Sequence, residues 1–399
     1  MKTLKTTALL CVAVLLLGGC TAAPATPTTD TDIVTIDVVK YQDVYGQSMQ
    51  YQHLSDVEKA CYGIIYTAVQ DNLSADMKIR DEEGNRIPGI RISLSGHSLT
   101  LEQTSRLFEA FFQDTPAFFF IDRTYSLEGR EIDGAQVYDT LVLRYTMDAS
   151  QRATAIQKMN DAVQTILKGR PATDDDYLTE LYLHDQLLTL CAYDQSATVD
   201  PTQYPNAYSA YGALVEGKAV CEGYAKAMQL LLSYVSIPAT TVRGYSADKQ
   251  TGHMWNLVKI NGQYYHLDPT WNDSETQHYY SYFNITSQVL QRTHIIDANT
   301  LFTVDCTAEN DNYFVRNNTY IDTYDRDTIA DVIAAQIRAG ATSIHLRFAD
   351  GKYENGLLFL KNTTLTKKMV NARLPDGVEL WDYALSTPAD QSTLSLRKI

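Results

Sequence analysis

Three side chains in the middle of the chain could share one reaction. Cys221 lies in Gly217-Lys218-Ala219-Val220-Cys221-Glu222-Gly223-Tyr224-Ala225, His253 in Gly252-His253-Met254-Trp255-Asn256, and Asp268 in His266-Leu267-Asp268-Pro269-Thr270-Trp271. Together they offer a thiol, an imidazole and a carboxylate. A sulfur nucleophile needs a base to become thiolate, and the base needs a third group to fix its tautomer and orientation, so the trio points to acyl transfer. Taken singly, each has an ordinary structural role: a small buried hydrophobe, a strand histidine, the start of a turn.

The flanking sequence predicts how the three would be positioned. After Tyr224, apolar Ala225, Met228, Leu231 and Leu232 recur at helical spacing between polar Lys226 and Gln229, which predicts a helix from Cys221 to about Ser236, stopped by Pro238. Cys221 then sits at a helix N-terminus, where free N–H groups and the positive dipole end favour an anion. His253–Ile260 and Gln263–Asp268 flank Asn261-Gly262, the signature of a tight two-residue hairpin. If Ile260 faces Gln263, then Trp255 faces Asp268 and His253 faces Thr270. His253 and Asp268 become diagonal neighbours on one face, about 7–8 Å apart at the backbone. A one-residue bulge would break this register.

In order and spacing, Tyr211-Gly212-Ala213-Leu214, Val220-Cys221-Glu222-Gly223-Tyr224-Ala225, Gly252-His253-Met254-Trp255-Asn256 and Asp268-Pro269-Thr270-Trp271 resemble the transglutaminase-like family of the papain-like thiol hydrolase group, in its bacterial branch related to cytokinesis-type proteins. A weaker likeness extends upstream through Tyr182-Leu183-His184-Asp185-Gln186-Leu187 and Tyr193-Asp194. The resemblance implies an α+β fold in which the cysteine helix packs on an antiparallel sheet. It implies Cys221 as nucleophile, His253 as general base and acid, and Asp268 as the orienting carboxylate, with no cofactor. It further implies an oxyanion site built from the nucleophile's backbone N–H and an upstream side-chain donor. Ser209 and Tyr211 are both candidates for that donor, and Trp255 and Trp271 are candidates for the substrate pocket.

Lys2 and Lys5 precede an apolar run from Ala8 to Leu17, too short for a stable membrane span and shaped like a signal peptide. Leu17-Gly18-Gly19-Cys20 resembles a bacterial lipobox, which would make Cys20 a lipidated N-terminus after removal of residues 1–19 and place the protein outside the cytoplasm on a membrane. Thr21–Asp32, rich in Ala, Pro and Thr, reads as a tether. Loss of two lysines with the leader would take the net charge from −15 to −17, a balance unsuited to nucleic acid or anionic lipid.

The rest of the chain divides into an α+β N-terminal domain (33–170), the catalytic domain (171–307) and a small α/β module (308–399). Helices are expected at Leu54–Val69, Leu101–Gln113, Thr154–Leu167 and Thr328–Arg338, and strands at Ile90–Leu94, Phe118–Asp122, Ala135–Tyr145 and Ser343–Phe348. Apart from Cys221, three cysteines lie beyond the tether, an odd number that argues against a disulfide framework. His266 shares the predicted face of Asp268, so a zinc set with Cys221 and His253 is conceivable, but no second Cys or His pair supports a metal. His184 reads as a satisfied core histidine, and Tyr264, Tyr265, Tyr279, Tyr280 and Tyr282 read mainly as packing residues.

Two functions follow. The first is a surface-anchored thiol enzyme acting on amide or peptide bonds through a thioester, as protease, amidase or cross-linking transglutaminase, with peptides or proteins, wall peptides among them, as substrates. The alternative is a surface lipoprotein that binds peptide or glycan on the same scaffold without turnover.

Overall fold

In the computed structural model, residues 48–94, 96–248, 251–274, 277–387 and 392–399 are described, together with short strands at Leu9–Leu10 and Ile33–Thr35. Cys20 and the tether lie outside the described residues. Among the described residues, no helix is long and apolar enough to cross a membrane.

The fold is mixed α+β. In the N-terminal region the strands Arg86–Ser93, Ala135–Tyr145 and Ile121–Ile132 pair antiparallel beneath the helices Asp56–Asp71 and Leu101–Asp114. Both helices start in capping boxes, Ser55 with Glu58 and Thr100 with Gln103, which satisfy otherwise unpaired first-turn N–H groups. The aromatic run is not a strand as expected. Phe118, Phe119 and Phe120 fill the core from a turn, and the strand begins at Ile121 and runs to Ile132. It then reverses at Asp133-Gly134, both at positive φ.

The sheet that carries His253 has the order Gln263–Leu267, Gly252–Ile260, Ala239–Ser246, His294–Ile296, all antiparallel. Ile260 pairs with Gln263 and Asn256 with Leu267, the register expected from a two-residue turn. Asn261 and Gly262 take φ of 50° and 81°, the left-handed pair that a type I′ turn needs. The helix Cys221–Tyr234 lies against this sheet, clamped where Asn256 Nδ2 donates to the Ala225 carbonyl at 2.9 Å.

One apolar core runs from Tyr51 to Phe283 and so joins the N-terminal sheet to the cysteine helix across residue 170. The C-terminal module has a core of its own, from Ile321 to Leu396. There the strands Tyr320–Ile321, Ser343–Phe348, Thr393–Lys398 and Tyr383–Ser386 carry the helices Arg326–Arg338, Tyr353–Lys361 and Thr363–Asn371.

Candidate active site

Cys221 is the first residue of its helix. The preceding Val220 has no side chain able to cap the helix, so the first-turn N–H groups have no side-chain acceptor there. That leaves donors and the positive dipole end beside the sulfur. The close packing that sets this position depends on Gly223: a Cβ there would stand 2.5 Å from the Ala207 carbonyl oxygen and 2.7 Å from Ala219 Cβ. The next residue, Glu222, is fully buried and held by Lys226 Nζ at 2.8 Å and by Arg123 of the N-terminal sheet at 3.1 Å. Burial would push its carboxyl up, but Arg123 and Lys226 outweigh that and hold its pKa down. A second pair, Arg243 with Glu109 at 2.9 Å, ties the same two regions together.

Cys221 lies close enough to the ring of His253 for its sulfur to raise the basicity of the imidazole. His253 Nε2–H donates to Asp268 Oδ2 at 2.6 Å, which leaves Nδ1 free of the carboxylate. Burial lowers the basicity of this imidazole, yet the Asp268 carboxylate and the neighbouring thiol more than reverse it, and the pKa rises to about 10. Asp268 is buried too, and its carboxyl is nevertheless driven well below the usual carboxylate range by His253 and by the hydrogen bonds it accepts. Its Oδ1 accepts the Trp271 backbone N–H at 3.1 Å.

Two side chains join the constellation that the sequence did not single out. His294, on the edge strand, donates Nε2–H to the same Asp268 Oδ2 at 3.1 Å, with Thr293 Oγ1 2.9 Å from its Nδ1. Burial holds its pKa down despite the carboxylate, so it is a neutral donor. Tyr193 sits on a two-residue strand paired in parallel with Lys218–Ala219, just before Cys221. Its phenol is 42% exposed and lies within electrostatic reach of Cys221, Tyr208 and Asp268. Burial, followed by those neighbours, raises its pKa, so it keeps its proton. The only hint of Tyr193 in the sequence is the Tyr193-Asp194 pair after the His184 helix.

The other expected site residues have different surroundings. Ser209 Oγ donates to the Asn206 carbonyl at 2.8 Å, and Tyr211 stacks on Phe119, 5.0 Å between centroids. Trp255 is fully buried and its indole N–H is spent on His266 Nδ1 at 3.2 Å. Trp271 is half-buried, its ring 5.2 Å from His253 and 4.3 Å from His294. His266 faces Ser287 Oγ at 3.2 Å with its other nitrogen, so it is committed away from the thiol. His184 is buried between Asp185 and Asn272. Cys61, Cys191, Cys221 and Cys306 are all free thiols. The ligand-type atoms of His253, Asp268 and His294 lie within 4.8 Å of one another and could gather on a cation only by giving up the hydrogen bonds that both imidazoles make to one oxygen.

The sequence from 164 to 269, little more than a quarter of the chain, matches the model of the transglutaminase-like superfamily, and this span holds Cys221, His253 and Asp268. Residues 164–269 are a transglutaminase-like domain.

Among solved structures, the protein resembles a TGase at 14% identity over 52% of this chain and 58% of that one, with a TM-score of 0.27. A protein named provisionally as a cysteine protease, from Cytophaga hutchinsonii, is similar at 16% identity over 36% of this chain and 56% of its own, with a TM-score of 0.24. One named provisionally as a protease, from Parabacteroides distasonis, is similar at 10% identity over 34% and 29%, with a TM-score of 0.21. The chain thus spans little more than half the length of the first two. No curated protein matches its sequence.

Proposed function

We propose that the transglutaminase-like domain cleaves or transfers amide bonds through Cys221, His253 and Asp268. The observation that carries this reading is the His253–Asp268 bond of 2.6 Å behind an imidazole whose basicity the neighbouring Cys221 also raises. In the mechanism, the Cys221 thiolate, paired with protonated His253, attacks a peptide or carboxamide carbonyl. The oxyanion is held by the free N–H groups of the first helical turn and by the Tyr193 hydroxyl. His253 then returns the proton to the departing amine, leaving a thioester on Cys221. Water completes hydrolysis, or a second amine completes cross-linking.

The leader-like residues 1–19 and Cys20 support a surface-anchored enzyme whose substrates are peptides or proteins of the envelope, wall peptides included. The acidic chain favours basic acceptors over nucleic acid. The low exposure of Cys221, 9%, favours a second reading in which the scaffold binds peptide or glycan without turnover.

The test is a peptidyl acyloxymethyl ketone added to the full chain, followed by intact-mass and peptide-mapping spectrometry. The expected result is one adduct on Cys221, absent in Cys221→Ala and formed at least about tenfold more slowly in His253→Ala. No adduct in the wild type, with peptide binding retained, would favour the second reading.

A further inference from the structure

A cleft of about 200 Å³ opens where the C-terminal module meets the segment that follows the catalytic hairpin, and none of Cys221, His253 and Asp268 lines it. Arg347 stands in its wall. This residue belongs to the central strand Ser343–Phe348 and is only 7% exposed. Its Nη2 donates to the Ser281 carbonyl and its guanidinium lies 4.5 Å over the Phe314 ring. Its Nε is buried with no partner, and no carboxylate among the described residues forms an ion pair with it. A guanidinium this far from water normally has an anion against it, because an unpaired buried charge is costly. Burial pushes its pKa down to about 10, so it stays charged at neutral pH. Asn284, also in the wall, has its Oδ1 buried and unpartnered.

The charge around the cleft narrows the ligand. Arg292 at the rim already pairs with Asp350 at 3.0 Å, and Glu309 is exposed beside it. With Asp350 offset by Arg292, the cleft keeps, among the described residues, one unpaired cation, Arg347, and one unpaired carboxylate, Glu309, a balance that suits a zwitterion better than a dianion such as phosphate. Val315 and Phe348 supply an apolar wall for a small side chain. The geometry points to a binding site for a small zwitterion, an amino acid or dipeptide, with its carboxylate on Arg347 and its ammonium toward Glu309.

The test is isothermal titration calorimetry on the full chain with alanine, dialanine, alaninamide, N-acetylalanine and inorganic phosphate. Saturable binding of alanine or dialanine is expected, and which of the two binds tighter tells a free amino acid from a peptide. Alaninamide and N-acetylalanine should bind at least about tenfold more weakly, since each leaves one buried or rim charge unpaired. Arg347→Met should abolish binding. Should that variant fail to fold by circular dichroism, Glu309→Gln, on the surface, serves instead: it should weaken the zwitterion several-fold and leave N-acetylalanine unaffected. Cys221→Ala should bind as the wild type does, which separates this site from the thiol site. Absence of saturable binding by either zwitterion, tighter binding of phosphate, equal binding of the blocked probes, or loss of binding in Cys221→Ala would each overturn the assignment.

Discussion

His294 Nε2 lies 3.1 Å from Asp268 Oδ2, the same oxygen that bonds His253 at 2.6 Å. One carboxylate therefore serves two imidazoles in opposite states: His253 has its pKa raised and His294 has it lowered. The neutral ring fixes the carboxylate that fixes the charged ring, which makes His294 a positioning residue. His294→Ala is expected to lower kcat on a peptide amide by about 10- to 100-fold with KM little changed. His294→Gln, which keeps an N–H donor, should recover part of the loss. Equal loss in both variants, with KM rising, would mean that His294 serves only packing.

Tyr193 is the proposed second oxyanion donor, set near Cys221 by the pairing of Ala192–Tyr193 with Lys218–Ala219. Tyr193→Phe keeps the ring and removes the hydroxyl. Its kcat should fall by about 10²–10³ while thiol alkylation is unaffected, because alkylation has no tetrahedral oxyanion. An unchanged kcat would remove Tyr193 from the site.

The register of the hairpin that carries His253 was readable because Asn261-Gly262 allows only a short primed turn, and a two-residue loop fixes the parity of every side chain on both strands. The cysteine helix was readable from its apolar spacing and from Pro238, although it ends slightly early, at Tyr234, where Ser236 turns to positive φ. The same turn logic applies to Asp133-Gly134, but the Phe118–Phe120 run masked it. Three adjacent aromatics suggest a strand, whereas here they plug the core from a turn. His294 was not readable. It meets Asp268 across an edge strand of three residues, and no local pattern records a contact between residues 26 apart in the chain. Trp255 shares the face of His253 as alternation requires, yet His266 and His294 close over it, which parity alone cannot reveal.

Protonated His253 is expected to persist far into the alkaline range. Its raised pKa means that the charged ring adds stability that is complete below 6.5 and lost as pH rises through about 10. Asp268, held below its usual 3.8, adds stability that is present above that value and lost in acid. Histidine-labelled NMR should show one imidazole still protonated at pH 9, and Asp268→Asn should bring it back to 6.5 or lower. A His253 that titrates near 6.5 in the wild type would contradict the ion pair.

Glu180 has the opposite sign. It is fully buried, accepts from Asn284 Nδ2 at 2.6 Å and leaves Oε1 unpartnered. Burial raises its pKa to about 8, so the folded state prefers the protonated acid and loses stability as pH rises from 4.5 to about 8. Glu180→Gln mimics the protonated form. Its Tm should exceed that of the wild type by a few degrees at pH 8 and show little gain at pH 5. A variant less stable than the wild type at pH 8 would show that the charged form is preferred.

The most direct measurement is the rate of iodoacetamide labelling at each cysteine from pH 5 to 9, in the wild type and in His253→Ala. Burial pushes the thiols of Cys61, Cys191 and Cys306 up to about 12, so these three should stay inert and report background. The expected result is modification confined to Cys221, persisting below pH 7, and slowed at least about tenfold in His253→Ala. A Cys221 that reacts no faster than a free thiol, or equally fast without His253, would contradict an activated nucleophile and leave the domain as a binding scaffold.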